Sequence, residues 1–233
     1  MRRLGAFLFA LALAATVAAV ALAAQTPRQL RTSIFAAARA RHSVHYVVLT
    51  IAAFRTRIVG DASGDRGSQV ITIVQGPNVG HLTVRVVPHT AYLRGDAFTL
   101  HAYLGFTTSQ ATRYHGSWIS IPSTHPAYAS IAEDATFGSF LSDLYPKGTG
   151  LIGVRGILDG DKVVGVRVSR LRGGLHVVST LYTHAHGTPL PFKELEFAPG
   201  RGYSSWNTIS RWNEPVHVQA PAHAVPIVTV LSG

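Results

Sequence analysis

The chain carries 12 histidines and no cysteine, so acid–base or metal chemistry has to be built from imidazoles and carboxylates. His184-Ala185-His186 sets two imidazoles on one side of a strand, and His42 with His45 forms a second close pair. Zinc needs three or four converging ligands, each oriented by its own hydrogen-bond partner. No His-Glu-x-x-His pattern occurs and the other histidines are dispersed. His184 and His186 are therefore only weak candidates, and no metal site is assigned. Nucleophilic hydrolysis fares no better. Phe137-Gly138-Ser139 lacks the second glycine of a nucleophile elbow, and Ser, His and acid roles do not follow from spacing alone.

Paired carboxylates for glycosidase-type work must flank a cleft. Glu133 and Asp134 are sequence neighbours and would not face one another on a helix. Asp159 and Asp161 sit in a turn, and Glu194 and Glu196 share one face of a strand. Arg172-Gly173-Gly174 leads into a strand, not a helix, and so offers phosphate no helix N-terminus. No catalytic residue and no cofactor is expected. A hydrolase without a recognisable motif stays open as an alternative.

What is abundant instead is apolar surface in strand-like and helix-like spacing. His81 to Val87 alternates, with Leu82, Val84 and Val86 on one face and His81, Thr83 and Arg85 on the other, the period of a half-buried strand. Ala91 to Arg94 and Trp118 to Ile121 read as short strands. Tyr128 to Leu144 carries Phe137, Phe140, Leu141 and Leu144 at helical spacing, as one or two short helices. Together Leu82, Val84, Val86, Tyr92, Trp118, Phe137, Phe140 and Leu141 fill a core or line a cavity, and the sequence leaves both readings open.

Around these lie the elements that position them. Thr26-Pro27-Arg28-Gln29 has an N-cap, a first-turn proline and a capping-box glutamine, predicting a helix from Pro27 to about Arg41. His45 to Arg57 reads as one long, bent strand, followed by a turn over 61–67 and a strand from Gln69 to Val74. Asp96 to Leu104 and Ser109 to Tyr114 are short helical segments. Strands follow at Gly150 to Leu158 and Val163 to Leu171, joined by a tight Asp-Gly hairpin, then at Leu175 to Thr183, Pro191 to Phe197 and Ser205 to Trp212. Pro215, Pro221 and Pro226 predict a tail running over the surface as extended chain. Nine or ten short strands joined by tight turns imply an antiparallel meander, and the fold class is α+β.

At 233 residues, 47% hydrophobic and 14% charged, the chain suits one folded domain and not global disorder. Met1-Arg2-Arg3, an Ala/Leu-rich run to Ala24 and an Ala-x-Ala exit describe a secretory signal peptide over 1–24, with an uncleaved anchor as the alternative. The folded domain is expected over 25–221 and a tail over 222–233. The formal charge is +10, and +8 without Arg2 and Arg3. An anionic membrane surface or acidic wall polymer is the partner such a surface attracts. The basic residues are scattered singly, which argues against nucleic acid. A monomer is expected.

Several landmarks have a familiar arrangement. Tyr92-Leu93-Arg94-Gly95-Asp96 is followed by Gly116-Ser117-Trp118-Ile119-x-Ile121-Pro122. Gly153-Val154-Arg155-Gly156 leads to Asp161-Lys162-Val163-Val164-Gly165, and Leu190-Pro191 and Trp212-Asn213-Glu214-Pro215 close the pattern. The chain resembles the LppX/LprAFG lipoproteins of Gram-positive actinobacteria, relatives of the LolA/LolB fold. The resemblance implies a strongly curved antiparallel sheet, a half-barrel, with helices on the concave face and an apolar cavity between them. It also implies a non-enzymatic, extracytoplasmic binder of lipid or acylated molecules. The eight apolar residues above would then form the pocket. Arg94, beside Tyr92, would contact an anionic head group, unless it pairs with Asp96. One feature departs from the family: where it carries a cysteine to acylate, this chain reads Ala23-Ala24-Gln25-Thr26, so anchoring through cysteine is not expected. An envelope scaffold binding protein through the same sheet remains the alternative.

Overall fold

The computed structural model describes residues 22, 24–132 and 135–232. The signal segment expected over 1–24 falls almost wholly outside them, as do Glu133 and Asp134. The described chain forms two compact units, one made of the residues up to Ala40 with Tyr145–Pro199, the other of Arg41–Leu144 with the residues from Gly200 on.

In the first unit, helix α1 (Pro27–Arg39) starts as the sequence predicts. Thr26 caps it, its Oγ accepting the Gln29 N–H at 3.3 Å while the Gln29 Oε1 accepts the Thr26 N–H at 3.0 Å. Leu30, Ile34, Phe35 and Ala38 form its buried stripe, and Phe35 meets the edge of Tyr145 at 4.7 Å. The helix lies across β7 (Thr149–Leu158) and β8 (Asp161–Arg172), which pair antiparallel in the order β10-β9-β8-β7 with β9 (Leu175–His184) and β10 (Pro191–Ala198). Asp159 and Gly160, both at positive φ, make the two-residue turn between β7 and β8. Glu196, 3% exposed, is held by Arg170 and by Arg172 at 2.8 Å, so this buried carboxylate is paired and not a candidate acid.

The second unit has eight strands, ordered β12-β6-β5-β4-β3-β2-β1-β11. They are β1 (Ser43–Ile51), β2 (Arg55–Ser63), β3 (Arg66–Gln75), β4 (Asn78–Val87), β5 (Thr90–Gly95), β6 (Ile119–Pro122), β11 (Tyr203–Ser210) and β12 (Val225–Pro226). All neighbours pair antiparallel except β12 with β6. The long strand expected over His45 to Arg57 is instead a hairpin, with Ser43 opposite Ser63 and Ile51 opposite Arg55. Its bend, Ala52-Ala53-Phe54, contains no turn-forming residue. The ring of Phe54 packs on the core and draws the chain around.

One face of this sheet is covered. Ile71 and Ile73 of β3, Leu82, Val84 and Val86 of β4, Ala91 and Leu93 of β5, and Ile119 and Ile121 of β6 are buried there. Over them lie a π-helical turn (Thr99–Tyr103), α2 (Thr108–Tyr114), α3 (Tyr128–Ala132) and the C-terminal α5 (Ile227–Leu231). The last of these overturns an expectation. Residues 222–233, read as an extended surface tail, add strand β12 beside β6 and bury Ile227 and Val230 in the core. Two apolar residues three apart, just after the last proline, are enough for one amphipathic turn. Helix α4 (Phe137–Leu144) packs on β2, where Phe140 stacks on the fully buried Tyr46 at 4.7 Å.

Asp96 ties the helical insert to the sheet. Its Oδ1 accepts the Thr99 N–H at 2.7 Å, and its Oδ2 accepts the His81 N–H. Burial raises the carboxyl pKa, but these backbone hydrogen bonds outweigh it and leave the group below its ordinary 3.8. Its stabilising contribution is therefore present above that value and lost as pH falls through the lower folded value. Asp96→Asn should lower stability by about 1 kcal/mol near neutral pH and flatten the acid limb of stability against pH. Urea melts across the acid range check this, and an unchanged limb would count against the assignment.

Candidate functional site: an apolar cavity under the helical insert

Between the covered face of the second unit and its helices lies a cavity of about 440 Å³. Such volumes are usual for small-molecule pockets, which run roughly 300–1,000 Å³. Ile71, Leu82, Val84, Leu93 and Ile121 make its floor and are all buried. Phe106 and Ile227 close its sides. Tyr103, Leu104, Ala127, Ser130 and Ile131 stand at its mouth, Tyr103 being 46% exposed. Burial of its phenol pushes the Tyr103 pKa above 10.0, so the hydroxyl stays protonated at any physiological pH. The floor exists because β3 to β6 present every second side chain to one face. The space exists because the insert over them is short: a five-residue π turn and helices of five and seven residues.

Of the residues singled out from sequence, Leu82 and Val84 line this cavity. Val86, on the same face, is sealed in the core. Tyr92 and Arg94 lie on the opposite face of β5 from Leu93, as strand alternation requires. Trp118 lies with them: the guanidinium of Arg85 sits 4.7 Å and that of Arg94 5.4 Å from its ring centre. Arg94 therefore stacks on Trp118, and Asp96 is engaged by backbone N–H groups. Phe137, Phe140 and Leu141 are buried but outside the lining; Phe140 packs on Tyr46 and Phe137 on Trp212. The structure adds Leu93, Phe106, Ile121 and Ile227, and also Gln69, a buried polar residue that alternation in β3 brings to the inner face.

Two rival chemistries have definite places. β9 ends at His184, whose ring stacks on Phe192 at 4.3 Å with Nδ1 3.7 Å from Asp161, while His186 lies in the loop that follows. The two therefore do not share a strand face. No group of three or more His, Cys, Asp or Glu placed to hold a metal occurs among the described residues. On the other face of the second unit's sheet, Ser210, His45 and Asp61 stand opposite one another across three strands. His45 Nδ1 donates to Asp61 at 2.8 Å. No side-chain hydrogen bond joins Ser210 to His45 among the described residues, and Ser210 does not line the small polar pocket of about 240 Å³ beside them.

The second unit is thus a largely antiparallel sheet with a short helical roof and an apolar cavity beneath it. Among solved structures the chain is similar to LprF from Mycobacterium bovis, with a TM-score of 0.53 and 16% identity over 84% of this chain and 97% of that one. It is also similar to the lipoprotein LppX of Mycobacterium tuberculosis, with a TM-score of 0.50 and 15% identity over 82% and 99%. No family model matches the chain, and no curated protein matches it in sequence. The fold is the one the sequence landmarks imply. No helix of the described residues is long and apolar enough to cross a membrane.

Proposed function

We propose that this protein is a non-enzymatic, exported binding protein that takes the apolar part of a lipid or acylated molecule into its cavity and carries it outside the cytoplasmic membrane. The observation that carries the reading is the cavity itself, roofed but not filled, on a fold shared with LprF and the lipoprotein LppX. Its described lining is mostly apolar packing surface. The basic, Ala/Leu-rich N-terminus supports export. Native mass spectrometry of the protein purified from its own host tests the reading: co-purified lipid at stoichiometric amounts supports it, and ligand-free protein that binds no apolar probe overturns it.

The carrier would load and unload at an anionic membrane. Support comes from the sheet's outer face, where exposed Arg55, Arg57 and Arg94 stand among exposed Val70 and Trp206, and Arg85 and Arg94 share the Trp118 ring. Arginine and tryptophan over aliphatic surface suit the head-group layer of a bilayer. Replacing both Arg85 and Arg94 by serine should weaken co-sedimentation with phosphatidylglycerol vesicles about thirtyfold, at roughly 1 kcal/mol per charge. Binding to pure phosphatidylcholine should not change. Equal loss on both vesicle types would argue against charge recognition.

A further inference from the structure

The polar groups of the cavity determine which part of a ligand it can hold. No Arg, Lys, His, Asp or Glu stands among its described lining residues. The cations next in sequence to its floor, Arg85 and Arg94, face the other side of β4 and β5. An ionised group inside would lose its hydration and find no countercharge among those residues. Tyr103 and Ser130 sit at the mouth, where water reaches them.

One polar side chain in the lining is deeply buried. Gln69, 5% exposed, extends from β3 beside Ile71. Its Nε2 donates to the Tyr46 hydroxyl at 2.9 Å. That bond uses one of the two N–H donors of the carboxamide. The carboxamide's other end, Oε1 with its two lone pairs, has no hydrogen-bond partner among the described residues. A hydrocarbon pressed against it would expel any water and leave a buried acceptor unpaired, weakening binding by about tenfold or more. We propose that the ligand's buried end is uncharged and carries a hydroxyl that pairs with Gln69, so the cavity takes a long-chain alcohol or hydroxylated lipid chain. A hydroxyl donates to Oε1 and also accepts from an N–H, so it satisfies either end of an amide. A carboxylate has neither a donor for Oε1 nor a countercharge here. The inference rests on the cavity being the ligand site proposed above.

Displacement of the neutral dye N-phenyl-1-naphthylamine from the full chain tests it, with the mouth-blocked Ala127→Trp chain as the blank. Dodecan-1-ol, dodecane and dodecanoate are compared at about pH 7. Dodecan-1-ol should displace the dye at about one tenth the concentration needed of either other probe. Gln69→Leu, which keeps the volume and removes the amide, should erase that preference while dodecane binds as well or better. Equal displacement by dodecane and dodecan-1-ol in the unaltered chain overturns the hydroxyl assignment, as does a preference that survives Gln69→Leu. In both cases the cavity still stands as an apolar site. Failure of the dye and all three probes to bind overturns the apolar-ligand reading itself. If Gln69→Leu does not fold, the probe comparison on the unaltered chain decides.

Discussion

Gly67→Ala is expected to destabilise the protein by about 3 kcal/mol, near the top of the range for overpacking. Gly67 is an inward-facing residue of β3, opposite Ala62 of β2 and Val86 of β4, all three buried. Ala135, in the connection between α3 and α4, lies directly over it. A methyl group there would lie 1.6 Å from the carbonyl oxygen of Ala135 and 2.8 Å from that of Asp61. Both obstacles are backbone, so no rotamer change relieves them, and the connection has to lift. That connection also carries the Phe137 N–H bond to the Gly64 carbonyl. Lifting it would disturb the seat of α4 and the Phe140–Tyr46 stack. Gly156→Ala is the control, because its added methyl meets nothing within 4 Å. Urea denaturation should show a large drop in midpoint for the first variant and almost none for the second. Matching midpoints would mean that the connection does not rest on the strand as described.

Ala127→Trp is expected to abolish binding of apolar probes, a loss of at least about tenfold, equivalent to 1.4 kcal/mol, with the melting temperature almost unchanged. Ala127 stands half-buried at the mouth, just ahead of α3, and its carbonyl accepts from Ile131 N–H at 3.2 Å and Ser130 Oγ at 3.0 Å. These are backbone bonds at residue 127, so a larger side chain can be introduced without breaking them. An indole entering a space of about 440 Å³ occupies room a chain would need. Dye titration and native mass spectrometry read the effect directly. Retained binding with an intact fold would place the ligand elsewhere and remove the cavity from the mechanism.

The asymmetry between these two variants also shows where sequence information ran out. The α1 capping box, the alternation of β4 and the Asp159-Gly160 hairpin are local: each depends on residues within a few positions of one another. All three are legible because the backbone groups they satisfy belong to the same short segment. The glycine, proline and tryptophan landmarks likewise pointed to the fold, because such residues sit where the backbone must turn or pack.

Long-range pairing was another matter. Nothing in Ala52-Ala53-Phe54 announces the turn that folds β1 onto β2, and the tail's Ile227 and Val230 find their core only once β12 lies beside β6. Tyr92, Arg94 and Trp118 drew attention by type. Which face a strand residue occupies, however, depends on its register with both neighbours, and a shift of one position reverses the face. The sequence by itself determined an α+β, antiparallel chain with a basic surface and a row of apolar residues on β4. Only the tertiary structure decided that this row floors a cavity and that Gln69 is the polar group inside it. An unfilled volume is a property of how far apart packed elements stand, and no single segment encodes that distance.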